Sequence, residues 1–269
     1  MAEPLCVVRG GGDLGTGVVW RLTRAGFPVV VLELPNPLTV RRTVAVSTAV
    51  REGSIEIEGM AAARVEGAGE ALATARDGRV AVLIAETLEG VPATVVVDAR
   101  VAKRNIDTAI GDAELVVALG PGFTAGHDCH AVVETQRGHH LGRVLWSGSA
   151  AVDTRTPGVV AGRGADRVVR APQAGAVTWD VRIGDSVNEG QHLGTVGSTP
   201  CLAPFDGIAR GLIAAGTEVW AGLKIGDIDP RGDASYCYEI SDKALAVGGG
   251  VLEAVTSWRA GTARGGGEA

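Results

Sequence analysis

Gly10, Gly12 and Gly15 form a G-x-G-x-x-G turn between a short apolar run, Leu5 to Arg9, and a stretch of helical pattern, Gly17 to Ala25. The chemistry that such a turn offers is the binding of a diphosphate. Gly10 permits the tight turn, Gly12 leaves the main chain open to a pyrophosphate, and Gly15 allows helix and strand to approach closely. Gly11, Asp13 and Leu14 complete the turn, and the unpaired amides and positive end of the following helix face the anion. A second apolar run, Pro28 to Leu32, ends at Glu33, 18 residues after Gly15. That is the place of a carboxylate that takes ribose hydroxyls in a dinucleotide-binding unit.

Three further stretches carry anion chemistry. Arg41 and Arg42 read either as a bidentate phosphate clamp or as a solvated surface pair. Asp98 to Asn105, which includes Lys103, places an acid, an amide and three cations just past a strand. Gly120-Pro121-Gly122-Phe123 is a rigid loop able to present backbone N–H groups. Next come His127-Asp128-Cys129-His130 and His139-His140, four of the five histidines within 14 residues. Their spacing matches none of the common zinc signatures, so no metal is expected, and Asp128 and His130 read as polar contacts to a ligand or a turn. Cys129 lies between two histidines in sequence. If their rings approach it, its thiolate is favoured, which makes it the candidate for reactive sulfur chemistry and the one catalytic candidate; the alternative is a buried, inert thiol.

The elements that must position these residues follow from hydrophobic pattern. Val80 to Ile84, Thr94 to Asp98 and Leu115 to Leu119 are continuous apolar runs of the kind found in parallel strands covered on both faces. Alternating with helical connections, they predict an α/β fold with a Rossmann-like, doubly wound sheet over residues 1–165, its ligands beyond the carboxyl ends of the strands. The 269 residues suffice for more than one domain; 46% are hydrophobic and 21% charged, the balance of a soluble globular chain. A net charge of −6 provides no basic footprint, so nucleic acid is a poor partner. Met1 to Pro4 lacks signal-peptide features, no apolar run is long enough for a membrane span, and the four cysteines form no C-x-x-C pair; these point to a cytoplasmic protein with no membrane partner.

An internal repeat occupies residues 166–232. Ala171-Pro172-Gln173-Ala174-Gly175, Gly184, Val187, Gly190 and Gly194 recur 32 residues later as Ala203-Pro204-Phe205-Asp206-Gly207, Gly216, Val219, Gly222 and Gly226. Two copies of a β-rich unit predict a small β-barrel of two interlocked half-repeats. The half-motif resembles biotinyl- and lipoyl-carrier domains, yet the connection Val196 to Cys201 has no lysine to carry a prosthetic group. Residues 233–269 read as a C-terminal helix, broken at Gly248-Gly249-Gly250, followed by a disordered tail over 265–269.

Taken together, Arg9 to Gly15, Arg41-Arg42, Asp98 to Asn105, Leu119 to Phe123, Asp128 to Gly142, the repeat and Ser241-Asp242-Lys243 through Ala254 resemble the accessory proteins of selenium-dependent molybdenum hydroxylases, relatives of the xanthine dehydrogenase accessory protein. The resemblance implies maturation or insertion of the molybdenum cofactor, in the form of molybdopterin cytosine dinucleotide. The implied partners are a molybdenum hydroxylase client and cofactor-biosynthesis proteins, and a homodimer stays open. The pyrophosphate would then lie on Gly10, Gly12 and Gly15, ribose on Glu33, and a terminal phosphate on Lys103 or Gly120-Pro121-Gly122. Two other readings compete: an NAD(P)-dependent oxidoreductase, with His130 or Lys103 moving the proton, and a non-enzymatic docking scaffold.

Overall fold

A computed structural model describes residues 3–88, 90–153 and 161–261. The tail expected to be disordered lies outside them. The chain divides into two compact units, the first Met1–Pro35, Val46–Thr154 and Ile240–Ala269, the second Asn36–Ala45 and Arg155–Glu239.

In unit 1 the chain runs β1 (Cys6–Arg9), α1 (Asp13–Arg24), β2 (Val29–Glu33), α2 (Ala49–Glu52), β3 (Ser54–Ile57), β4 (Met60–Val65), α3 (Ala68–Arg76), β5 (Val80–Ile84), β6 (Val95–Asp98), β7 (Leu115–Leu119), β8 (Ala131–Val133), β9 (Val144–Leu145) and, after unit 2, α4 (Asp242–Arg259). One nine-stranded sheet has the order β3-β4-β5-β2-β1-β6-β7-β8-β9. Every residue of β1, β6 and β7 is buried, which is why these strands are near-continuous valine runs. The winding direction reverses between β1 and β6: β2 follows β1 on one side, β6 lies against β1 on the other.

The expected Rossmann-like, doubly wound sheet is corrected here. The sheet is mixed, with an antiparallel pair at each edge, β3 with β4 and β8 with β9. At the first edge the cause is local. Glu58 (φ +46°) and Gly59 (φ +77°) form a two-residue turn with both residues left-handed, the geometry that folds a strand back on itself as a tight hairpin.

Helix α4 also departs from expectation, because it passes through Gly248-Gly249-Gly250 without a break. Ser241 caps it, its Oγ accepting the Ala244 N–H at 3.1 Å. A Cβ on Gly248 would strike the Gly17 carbonyl of α1, and one on Gly17 the Ala244 carbonyl. Gly17 and Gly248, which lower helix propensity, are therefore where α1 and α4 touch, while Gly250 packs on Gly142 and Val133.

Unit 2 holds β10 (Val168–Arg170), β11 (Gly175–Trp179), β12 (Ser186–Val187), β13 (His192–Val196), β14 (Thr199–Leu202), β15 (Gly207–Leu212), β16 (Glu218–Val219) and β17 (Lys224–Asp229). The repeat is visible in the pairing. The short strand of each copy leaves its own copy and pairs with the first long strand of the other, β12 with β15 and β16 with β11. The result is two four-stranded antiparallel sheets, β10-β17-β15-β12 and β14-β13-β11-β16. The single small barrel expected from the repeat is corrected to this pair of sheets. Register shifts at Val169/Arg170, His192/Gly194 and Ala209/Gly211 interrupt the ladders, and the exchanged strands are only two residues long. Leu193, Leu212, Ile213, Ile225 and Ile228, all fully buried, fill the core, where aromatic residues are scarce.

Candidate functional site

The carboxyl ends of β1, β2, β6 and β7 bring the glycine turn, Glu33, the 98–105 loop and the 120–123 loop to one edge of the unit 1 sheet. Gly10 adopts φ +99°, where only glycine is comfortable, and donates its N–H to the Leu32 carbonyl at 2.9 Å. A Cβ on Gly15 would collide with the Gly10 carbonyl, so close helix–strand approach requires glycine there. Gly11 is walled in: a Cβ would stand 2.9 Å from the Val46 side chain, and its carbonyl accepts the Ser47 N–H at 3.0 Å. Glu33 faces this turn. Its Oε2 accepts the Gly11 N–H at 2.7 Å and its Oε1 the Leu34 N–H at 2.8 Å. Among the described residues the amides of Gly12 and Leu14 have no acceptor, so the donors offered to an anion are those of the first helical turn, behind Asp13.

Beyond β6, Asp98 is fully buried and belongs to an ionic network rather than to an open wall. It accepts Arg100 Nη2 at 2.6 Å and Thr108 Oγ1 at 2.7 Å. Buried Arg9 donates to Thr108 Oγ1, the Glu86 carbonyl and Asp107 Oδ2 at 3.1, 3.0 and 2.9 Å. Desolvation works against the charge of Arg100, but its bonds to Asp98 and Asp107 outweigh it and hold the guanidinium more firmly charged than usual. Hydrogen bonding from Arg9, then from Arg100, outweighs the opposing effect of burial and keeps the Asp107 carboxyl below the ordinary range.

This network pins a strained loop. Val101 and Lys103 take φ +52° and +65°, a region costly for a β-branched residue such as valine. Asn105 closes the loop, donating to the Thr108 carbonyl at 2.8 Å and reaching Asp128 Oδ1 at 3.4 Å. The glycine loop braces it from the other side. The Gly122 carbonyl accepts the Asn105 N–H at 3.1 Å, and a Cβ on Gly122 would stand 2.6 Å from Arg104 Cα. A Cβ on Gly120 would meet Thr135 Oγ1 at 2.5 Å; past Pro121, Phe123 is buried with Cys129 in the apolar layer beneath β7. Asp128 anchors the turn by accepting the Thr124 N–H at 2.7 Å; against desolvation, that bond, His127 and Asn105 keep its carboxyl low.

Other sequence candidates lie elsewhere. Arg41 and Arg42 belong to unit 2, where they donate to backbone carbonyls: Arg41 Nη2 to Tyr236 and Glu239 at 3.0 and 2.9 Å, Arg42 Nε to Leu212 at 2.8 Å. His130 sits at the start of β8, level with Val116, whose N–H its Nδ1 accepts at 2.9 Å. Accepting there fixes a neutral ring with the proton on Nε2, and burial lowers its pKa. Cys129 is fully buried, and desolvation, then the Asp128 and Asp98 carboxylates, push its thiol up to about 12. At neutral pH it is a protonated packing residue, without the thiolate that sulfur chemistry needs. No three His, Cys, Asp or Glu side chains converge on a metal-sized point among the described residues.

The same edge receives a residue that motif reading left without a role. Lys243, in the first turn of α4, is half-buried, and burial lowers its pKa; Lys103 and Arg137 add to this, Asp13 and Glu134 oppose it. Among the described residues neither Lys243 nor Lys103 has a hydrogen bond or an ion pair.

No family model matches the chain. A protein of Escherichia coli (strain K12) described as "Uncharacterized protein YqeB" is 45% identical over 254 residues, which are 93% of this chain and 47% of that protein. The chain thus spans about half the length of the curated relative it matches. Among solved structures, a succinylglutamate desuccinylase/aspartoacylase from Rhodobacter sphaeroides is similar over 24% of this chain and 22% of its own, at 27% identity and a TM-score of 0.22. An aspartoacylase family protein from Mesorhizobium loti covers 84% of this chain and 85% of its own, at 12% identity and a TM-score of 0.27. At such scores the likeness carries no argument about fold or chemistry. Among the described residues no helix is long and apolar enough to cross a membrane.

A signal for Lys243 did exist in the sequence. Only three lysines occur among 25 Lys and Arg residues, and one of them directly follows an N-cap pair, Ser241-Asp242. Packing of α4 on α1, where Gly17 meets Ala244, carries Lys243 towards the N-terminal part of α1.

Proposed function

We propose that this protein acts in the cytoplasm as an accessory factor that matures a molybdenum hydroxylase, holding the pterin dinucleotide form of the molybdenum cofactor at the carboxyl edge of the unit 1 sheet. The observation that carries the reading is the grip of Glu33 on Gly11 beside the open amides of Gly12 and Leu14, at the point where the winding reverses between β1 and β6. Crevices at such reversals are where open α/β sheets take ligands. The donor set fits a dinucleotide: main-chain amides and a helix end suit a diphosphate, and Glu33, with lone pairs still available on both oxygens, suits sugar hydroxyls.

When bound, the group would supply the molybdenum–pterin redox centre of the client enzyme, and this chain's residues bind and orient it. Asp98, Arg9, Arg100 and Thr108 hold the 98–108 loop rigid beside the turn, and Gly120 to Gly122 brace that loop. His130, one of the two proton-transfer candidates, is tied to Val116 three residues short of the end of β7. The motif resemblance in the sequence adds the client, a molybdenum hydroxylase. Native mass spectrometry of the chain purified from its own host tests the reading: a pterin dinucleotide mass is expected, whereas NAD(P) or an empty protein would overturn it.

A further inference from the structure

Two guanidinium groups close on one carboxylate beside the glycine turn. Arg9, the last residue of β1, lies level with Asp98, the last residue of β6, and Arg100 follows Asp98 by two positions. Arg9 Nη2 stands 2.9 Å from Asp107 Oδ2 and Arg100 Nη2 2.7 Å from Asp107 Oδ1, so each arginine holds one oxygen. The turn adjoins this clasp. Gly10 follows Arg9, and a Cβ on Gly10 would be 3.1 Å from both the N and the Cα of Arg100.

The members of the clasp are unequal. The Arg9 side chain is 5% exposed and that of Asp107 46%, so the carboxylate reaches the clasp from the solvent side. Asp107 is also the member that the scaffold can spare. Thr108 is held without it, its Oγ1 by Asp98, Arg9 and Arg100 and its N–H by Asn105 Oδ1 at 2.9 Å. Among the described residues Asp107 makes no other hydrogen bond, and neighbouring Ile106 is exposed. Swinging Asp107 outward therefore breaks two ion pairs and little packing.

Arg9 would then face no carboxylate at all. Its remaining partners, Thr108 Oγ1 and the Glu86 carbonyl, are neutral, whereas Arg100 keeps both oxygens of Asp98. A buried guanidinium without a counter-charge is costly, so the position calls for another oxyanion. Guanidinium groups fit phosphoryl oxygens as they fit carboxylates, and a terminal phosphoryl group carries more charge than the carboxylate it replaces.

We propose that Arg9 and Arg100 form a phosphoryl-binding clasp, with the Asp107 carboxylate as its built-in competitor. Binding exchanges one anion for another: the phosphoryl group takes the two Nη2 donors and Asp107 turns out to solvent. The clasp is a site separate from the amides of Gly12 and Leu14, and it stands whether or not the turn holds a nucleotide.

Isothermal titration of the full chain with inorganic phosphate and with cytidine 5′-diphosphate tests the exchange in wild type, Asp107→Asn and Asp107→Ala. Both variants should bind at least one of the two ligands about tenfold more tightly than wild type, the value of one charge-assisted hydrogen bond that no longer competes. Asparagine keeps the size of the side chain, so a gain in both variants reports charge and not an opened cavity. Adding Arg100→Gln to Asp107→Asn should abolish the gain. A gain with both ligands supports a clasp open to free phosphate, and a gain confined to cytidine 5′-diphosphate supports one that takes the terminal phosphoryl group of a nucleotide. Affinities unchanged or lower in both Asp107 variants, or a gain that survives Arg100→Gln, overturn the clasp. Wild type that binds neither ligand at about a hundredfold above the Kd of Asp107→Asn overturns the exchange.

Discussion

Glu33, at the carboxyl end of β2, holds the Gly11 N–H at 2.7 Å across 22 residues of sequence. The carboxylate thereby does two things: it fixes the turn that leaves Gly12 and Leu14 open, and it waits beside that turn with spare lone pairs. Glu33→Gln keeps an acceptor for Gly11 but loses the charge. Its melting temperature is expected to stay close to wild type while nucleotide affinity falls about tenfold, the value of a charged hydrogen bond. Isothermal titration calorimetry with cytidine 5′-diphosphate reads the second quantity, and an undiminished affinity removes the ribose role.

The glycines of α1 and α4 give opposite predictions at neighbouring positions. Gly248→Ala gains roughly 1 kcal/mol of helix propensity. It also forces a methyl group into the Gly17 carbonyl, and overpacking of this kind costs about 1–3 kcal/mol, so the variant should melt lower. Gly249 has nothing within 4 Å of its would-be Cβ. Gly249→Ala should therefore melt higher, by the propensity gain of about 1 kcal/mol. Thermal denaturation of the two variants side by side checks the sign of each.

Asp107 sets a pH dependence. Its carboxyl is depressed from 3.8 in the folded chain, chiefly by hydrogen bonding from Arg9. A depressed acid contributes stability that is complete above its unfolded pKa and disappears as pH falls through the folded one. Asp107→Asn should therefore be less stable than wild type at neutral pH, with the gap closing as the medium is acidified below the ordinary carboxylate range. Melting curves from pH 7 down to pH 3 follow it; a gap that widens on acidification contradicts the network.

Cys129 should be silent. With its thiol pushed up to about 12 and no surface exposed, it is expected to resist iodoacetamide at pH 8 in the folded chain and to react only on unfolding. Rapid native alkylation at Cys129 in a peptide map would return it to the list of reactive groups.

Several of these features were legible in the sequence for physical reasons. Buried strands between β1 and β7 need valine on both faces, so their runs stand out, and the acid at the end of β2 is countable from Gly15. The 32-residue repeat likewise shows through its glycines, which sit at turns such as Gly184 and Gly216 with positive φ. What stayed hidden depends on contacts between distant residues. Asp98 looked like a wall of the cleft because Thr108, which together with Arg100 occupies its oxygens, lies outside the Asp98 to Asn105 stretch. Gly248 to Gly250 looked like a break because propensity counts the cost of glycine and cannot count a partner helix. Arg41 and Arg42 looked like a phosphate clamp because their acceptors, carbonyls of residues 212 to 239, leave no trace in side-chain pattern. The antiparallel pairing of β3 with β4 depends on contacts that apolar runs do not encode.

The most direct measurement concerns Gly12, whose φ of −71° is open to any residue, so that a side chain there tests the ligand and not the backbone. Native mass spectrometry of wild type and Gly12→Val, both purified from the host, should show a pterin dinucleotide on the first and its loss from the second at an unchanged melting temperature. A wild-type protein without that mass, or a folded variant that keeps it, contradicts the account.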